Sequence, residues 1–363
     1  MACSKFFSGN LPELLNEVIQ YFHYDYKTLH SCILVNRLWC RLAIPLLWED
    51  PFSIRFPKNY RFIEIYLCNL SDDDKTRLNK YVIHSGLFPS NTLFNYPKFI
   101  QHLDTYKVSD SIKTWASTNL PTSHIVNFIT ELIVRSLFLD KIDESLEPLI
   151  QRSGNCLENF NINNYKSQQL LQSLKLYCRN IKFLSIELHY QNVDLIFNLI
   201  KNIRQNLNYL IINSDGKIKF SLILLHNLGQ ILPFKLEYLR LVLAIKGSDL
   251  EVFLKSSQNT YIKKLSIRNA KNEGTSQDIL PYIKEYIVKK KRVKYLAILD
   301  VFCGKKVDLF SLKDEVKEFQ LYDIQVLDYY DSIINIYDFI NNSYWLAGVK
   351  YRGVTRYFIH HNQ

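Results

Sequence analysis

Glycine and proline are scarce in this 363-residue chain, with ten of each. That scarcity argues against a long disordered or low-complexity region. The seven cysteines (Cys3, Cys32, Cys40, Cys68, Cys156, Cys178 and Cys303) include no C-x-x-C pair. Their count is odd and their spacing wide, so neither a disulfide framework nor a zinc site is expected, and a reducing compartment is. Long apolar runs are also missing. Residues 1–7 lack the core of a signal peptide, and the most apolar stretch, residues 222–234, is interrupted by His226, Asn227, Gly229 and Gln230. It is too short and too polar to span a membrane. The expectation is an intracellular protein, cytoplasmic and/or nuclear, with no membrane partner.

Catalytic signatures are absent too. There is no Gly-rich phosphate loop, H-E-x-x-H or G-x-S-x-G, and no catalytic constellation takes their place. His360 and His361 stand together with no Cys or carboxylate at ligand spacing, which reads as an exposed pair rather than a metal site. A non-catalytic protein without cofactor or metal is expected.

The residues the chain does favour are apolar and aromatic: 47% are hydrophobic, and 14% of all residues are aromatic. A large core can form, and the length suits two or three domains. The formal net charge is +10, but Lys and Arg mostly alternate with apolar residues, as on a solvated basic surface. The densest run, Lys289-Lys290-Lys291-Arg292, reads either as a nuclear-targeting or nucleic-acid patch or as the cationic end of a helix; the second is favoured. Nucleic-acid binding is not expected, because the aromatics look like strand and core residues.

Residues 9–50 form a distinct unit. Pro12 suits a first helical position and Glu13 complements a positive helix start. Leu14, Leu15, Val18, Ile19 and Phe22 recur at helical spacing. A second apolar segment spans residues 29–35, and a third spans 37–44, ending before Pro45. Three such short helices are marginal unless they dock on something. Leu11-Pro12-Glu13, Ile19, Leu29, Val35-Asn36-Arg37-Leu38-Trp39 and Leu46-Leu47-Trp48 together resemble the F-box, with Asn36 where that family more often has Cys or Ser. The resemblance implies binding to a Skp-family adaptor, and through it to a cullin–RING ubiquitin ligase, by Leu11, Pro12, Leu15, Ile19, Leu29, Val35 and Trp39. The competing reading is a plain three-helix cap on a repeat array.

An apolar-x-x-apolar-x-apolar unit then recurs, beginning at Ile129, Leu157, Ile181, Leu207, Leu236, Ile262, Val293 and Val316. The steps fall around the period of leucine-rich repeats. Helix-type segments lie between, among them Leu170, Leu171, Leu174 and Tyr177, then Leu195, Ile196, Leu199, Ile200 and Ile203, then Ile279, Ile283 and Ile287. The pattern resembles the irregular repeats of F-box leucine-rich-repeat proteins. The expected fold is therefore α/β, a three-helix F-box (9–50) followed by a helical connector (51–125), an irregular leucine-rich-repeat solenoid or horseshoe (126–323) and a C-terminal cap (324–363). The competing architecture is an α/β sheet domain with alternating strands and helices.

The resemblance implies a substrate-recognition subunit of a Skp–cullin–F-box ubiquitin ligase, with a protein-interaction scaffold outside the ubiquitin system as the alternative. Alternation along each strand puts Tyr209, Tyr238, Arg240, Lys264, Arg268 and Tyr295 on the face opposite the core. This Tyr- and Arg-rich row is the expected substrate surface. Its cations suit an acidic or phosphorylated partner segment.

Overall fold

The computed structural model of the chain describes residues 12–23, 25–53, 60, 62–67, 92–119, 150–162, 168–188, 192–214, 218–271, 279–288, 292–302, 305–336 and 339. Three helices open it: α1 (Pro12–Tyr21), α2 (Tyr26–Cys32) and α3 (Arg37–Leu47). Asp25 caps α2, accepting from the Thr28 amide at 3.0 Å. Asn36 caps α3, accepting from the Leu38 and Trp39 amides at 2.9 and 3.0 Å. Both are the residue type that best satisfies the orphan donors of a first turn. Pro45 does not end α3, as its sequence context suggests, but sits inside it. The bond from the Trp48 amide to the Ile44 carbonyl closes the helix beyond it.

The body is one sheet of nine strands. β1 (His102–Asp104), β2 (Asn159–Ile162), β3 (Phe183–Leu188), β4 (Tyr209–Ser214), β5 (Lys235–Leu243), β6 (Tyr261–Lys271) and β7 (Val293–Phe302) lie side by side in chain order, all parallel. β8 (Lys305–Asp308) returns antiparallel along β7, and the short β9 (Gln325–Val326) pairs with β7 in parallel. The order of β1 to β7 never reverses, so right-handed crossovers carry the connecting helices to one face of the sheet. After α4 (Phe62–Leu67) and α5 (Thr105–Asn119), these are α6 (Gln168–Tyr177), α7 (Val193–Ile203), α8 (Ile218–Ile231), α9 (Gly247–Ser256) and α10 (Leu280–Ile283, continued by one wide turn to Val288). From α6 onward each packs on the next. A last helix, α11 (Lys313–Gln320), precedes β9. Gly229 permits the close approach of α8 to α9, since a side-chain carbon there would stand 2.9 Å from the Phe253 carbonyl oxygen and collide with the Ser256 hydroxyl.

Alternation along the strands decides what lies between sheet and helices. Leu184, Leu210, Leu239, Leu265 and Leu296 are aligned by register and wholly buried. With the inner faces of α6 to α10 they form one continuous core that reaches back to Phe52 and Ile63 and forward to Phe319 and Val326. Each fully buried aliphatic side chain of this kind contributes about 1.5–3 kcal/mol.

This architecture corrects the one expected from the sequence. The described residues form an α/β assembly on a single nine-stranded sheet, not a free-standing helical F-box joined to a leucine-rich-repeat solenoid of eight strand repeats. The region read as a helical connector supplies an edge strand, β1, and its Ile63, Ile100, Leu103 and Trp115 join the common core. The repeat placed at Val316, Phe319 and Leu321 is not a strand: Val316 and Phe319 lie in α11 and Leu321 is its C-cap. Amphipathic spacing there serves both periods, and only Phe319 is buried. The repeat at Ile129 lies outside the described residues. The other expected strands, starting at Leu157, Ile181, Leu207, Leu236, Ile262 and Val293, run into β2 to β7.

Leu239 sits at the centre of the middle strand with no exposed surface. Leu239→Ala should lower unfolding free energy by about 2–5 kcal/mol, read from urea denaturation. A change under about 1 kcal/mol would place the residue outside the core.

Candidate functional site

Two surfaces and one buried joint carry the features that packing alone does not explain. The first surface is the N-terminal unit. Leu15, Ile19, Leu29 and Trp39, expected to touch an adaptor, point inward and build the unit's own core with Cys32, Ala43 and Leu46. Pro12 and Val35 are exposed, and Leu11 lies outside the described residues. The apolar side chains this unit shows to solvent are instead Leu14 (48% exposed), Val18 (37%) and Tyr21 (70%), with Leu34 and Val35 in the turn before α3. Positions 14, 18 and 21 follow helical spacing and share one side of α1. The same periodicity that marks Leu15 and Ile19 therefore hides a second, outward stripe, and only packing tells the two apart.

The joint sits where α3 ends. Glu49 is buried, and its carboxylate oxygens contact His23 Nε2 at 2.7 Å and His102 Nε2 at 2.8 Å. The other ring nitrogen of His102 meets the Asn159 amide at 2.6 Å. A proton on Nε2 of His102, with Nδ1 accepting from Asn159, satisfies both contacts. Main-chain amides of Gln101 and His102 donate to the Glu49 carbonyl at 3.0 and 3.3 Å. One residue thus ties the ends of α1 and α3 to β1, and through His102 to β2. Burial pushes the Glu49 carboxyl up, but the hydrogen bonds of His102 and His23, and the attraction of these rings when protonated, outweigh it and hold the group at about 2. No sequence spacing links positions 23, 49 and 102, and the apolar periodicity that reveals the core is silent on them.

The second surface is the sheet face away from the helices. The sequence predicts a substrate surface here, with residues 324–363 capping the last repeat. Instead β9 carries the chain back, and the described part of residues 327–339 crosses the face as a strap. Leu327 and Tyr329 lie on Ala297, Leu299 and Val301, and Ile334, Ile336 and Phe339 lie on Phe183, Tyr209, Ile211 and Tyr238. Tyr238 is fully buried, and its hydroxyl donates to the Ser332 carbonyl at 3.2 Å. Burial pushes that phenol up to about 12. Ser266 and Ser332 hydroxyls pair at 3.0 Å. Tyr209 and Tyr295 are half-buried, the first with its ring centre 4.4 Å from that of Phe339 and the second paired with Gln325 of β9. Arg240, Lys264 and Arg268 share this face and keep part of their surface exposed. The register thus gathers the whole expected row, while the strap takes Tyr209 and Tyr238.

Of the basic run, Arg292 is buried and donates to the carbonyls of Leu254 (3.0 Å), Ser257 and Thr260 (3.2 Å). It closes the C-terminal end of α9, the role cations serve best at the negative end of a helix. Among the described residues no group of three or more His, Cys, Asp or Glu could hold a metal ion, and no helix is long and apolar enough to cross a membrane. No protein-family model matches the chain, and no curated protein sequence matches it either.

A carboxylate held low in the folded state stabilises fully above its unfolded value of 4.5, and that stabilisation is lost as pH falls towards about 2. Glu49→Gln should cost about 1–3 kcal/mol at neutral pH and flatten the loss of stability over the acid window. Urea midpoints at pH 5 and pH 3 measure this; identical pH dependence in variant and parent would remove Glu49 from the joint.

Proposed function

We propose that this chain is the substrate-recognition subunit of a Skp–cullin–F-box ubiquitin ligase, its N-terminal helical unit docking on a Skp-family adaptor and its sheet domain holding the protein to be modified. The observation that carries the reading is the outward stripe Leu14, Val18 and Tyr21, beside exposed Leu34 and Val35, on a unit whose own core is already closed. Apolar side chains gathered on one side of a helix gain most when a partner covers them. The resemblance of residues 11–48 to the F-box supplies the partner's identity. The chemistry would reside in the partners. This chain would contribute proximity, holding a lysine of the substrate near the ligase's transfer machinery. The buried joint at Glu49 suits that task, because a rigid link between docking unit and sheet domain fixes the geometry of presentation.

Capture of a purified Skp-family adaptor by the full chain tests this. Leu14→Asp with Val18→Asp should abolish capture and leave the thermal melt unchanged, since both side chains already reach water. Leu15→Asp, by contrast, should unfold the N-terminal unit, because it places a charge in a closed core. Capture that survives the Leu14/Val18 pair would remove the adaptor from this surface and favour a scaffold outside the ubiquitin system.

A further inference from the structure

Three cations stand on neighbouring strands of the strapped face, and no described carboxylate forms an ion pair with any of them. Register places Tyr238 opposite Lys264, Arg240 opposite Ser266 and Val242 opposite Arg268. Lys264 and Arg268 are therefore the two diagonal neighbours of Arg240 on the next strand, a relation that puts side chains roughly 7–8 Å apart. Arg240 is held from one side: its Nε donates to the Tyr329 hydroxyl at 3.2 Å, and its guanidinium lies 5.8 Å from that ring's centre. The strap thereby orients the guanidinium, and no further hydrogen bond to a described residue occupies its two terminal nitrogens. The Lys264 ammonium lies 5.6 Å from the centre of the Tyr238 ring, and burial holds its pKa down. Arg268 Nε is buried with no hydrogen-bond partner among the described residues.

Of the carboxylates around the strap, Asp331 is exposed and forms no described ion pair, and two others are engaged with main-chain amides. Asp308 accepts from the Tyr329 amide at 2.9 Å, and Asp328 accepts from the Tyr330 and Asp331 amides at 2.8 and 3.2 Å. Outside the described residues, the C-terminal stretch from residue 337 onward holds one acid, Asp338, beside Lys350, Arg352 and Arg356. Partly desolvated like charges side by side oppose folding unless an anion joins them. The Arg240 guanidinium, with the Lys264 ammonium to one side and the Arg268 guanidinium to the other, suits the planar, multiply accepting geometry of a carboxylate or phosphate.

We infer that Arg240, Lys264 and Arg268, with Tyr329 as the positioning residue, bind the anionic side chain of a peptide segment lying beside the strap. A phosphorylated Ser or Thr, or a Glu or Asp in its place, supplies the oxyanion. This rests on the reading of the sheet domain as the part that holds the substrate. The probes are short fluorescein-labelled peptides of one Tyr- and Ile-containing sequence, with phosphoserine, Glu, Ser or Lys at the central position. Each is titrated into the full chain by fluorescence anisotropy. Binding of the phosphoserine and Glu peptides is expected, with none of the Ser or Lys peptides, and the affinity should fall as salt rises. Arg240→Gln with Arg268→Gln should weaken binding more than tenfold. Tyr329→Phe, which keeps the ring and frees Arg240, should weaken it several-fold, with the melt of each variant checking the fold. Equal binding of all four peptides, no binding of any, or indifference to the Arg pair would overturn the site. Inorganic phosphate competing as strongly as the phosphopeptide would overturn its assignment to a peptide. Adaptor capture by the same Arg variants should be unchanged. If parent protein fails to capture adaptor yet binds the anionic peptides, the ligase reading falls and the site stands.

Discussion

Glu49 lies at the meeting point of the two halves of the molecule, and the relation between them depends on how its charge is satisfied. A carboxylate withdrawn from water is costly, and here three groups offset that cost: His23 from the α1 side, His102 from β1, and Asn159 behind His102 on β2. Two residues along the same strands the device recurs, with Asn161 donating to Asp104 at 3.1 Å while Asp104 accepts from the Tyr106 amide at the start of α5. Polar side chains thus knit β1 to β2 where aliphatic packing does the same between later strands. Removing one partner would leave the others buried without their bonds, which makes this joint all-or-none in character. The helical unit is consequently held in a definite position against the sheet edge, and is not a loosely tethered bundle.

At the far edge the molecule solves the opposite problem. The sheet's second face is largely apolar at its centre, with Ile211, Tyr238, Ala297 and Leu299 buried. Left bare, it would expose a flat aromatic surface of the sort that promotes association. The chain turns back through Asp323, whose φ of 63° lies in the left-handed region that Asp tolerates. β9 then anchors it, and the strap covers the apolar centre. Polar contacts from the face draw on the side chains of Tyr238, Ser266 and Arg240, which meet the Ser332 carbonyl and hydroxyl and the Tyr329 hydroxyl of the strap.

The strands are legible in the sequence because their apolar residues serve one purpose: Leu184, Leu210, Leu239, Leu265 and Leu296 recur at a near-constant period and all face one core. The packing of that core is legible too, down to Ile196, Leu199 and Ile203 of α7. How the units assemble is less so. A strand as short as β1 has no periodic signal of its own, and α11 satisfies strand spacing by coincidence, so the expected repeat solenoid gives way to a single sheet. Inter-unit polar bonds are hidden as well. Asn180 donates to the Asn155 carbonyl at 2.6 Å and Asn206 to the Arg179 carbonyl at 2.9 Å, and neither asparagine belongs to the apolar pattern that marks the strands. At the candidate sites, spacing says which residues share a helix side or a strand face. It does not say that Leu15 faces in and Leu14 out, nor that Ser332, 94 residues downstream, claims Tyr238, because both follow from contacts between distant segments.

The cations of the described residues stand in distinct settings. Arg292 shows what a cation looks like when the fold itself is its purpose: buried, and bonded to three carbonyls at a helix end. Lys182 and Lys263 show the ordinary surface alternative, each paired with a glutamate, Glu158 at 2.7 Å and Glu237 at 2.8 Å. Arg240, Lys264 and Arg268 match neither pattern, being partly withdrawn from water without a described acid, although Glu237 stands three positions before Arg240 in the chain. The contrast applies equally to α1, where Leu15 and Ile19 close a core and Leu14, Val18 and Tyr21 stand outside it. Neither exception is fully used by the described chain: the uncovered part of an apolar side chain gains nothing from burial, and crowded cations repel. Either would become favourable with a complement that no described residue supplies, an apolar surface in one case and an oxyanion in the other. That is the physical ground for placing partners at these two surfaces and not at Arg292 or the buried joint.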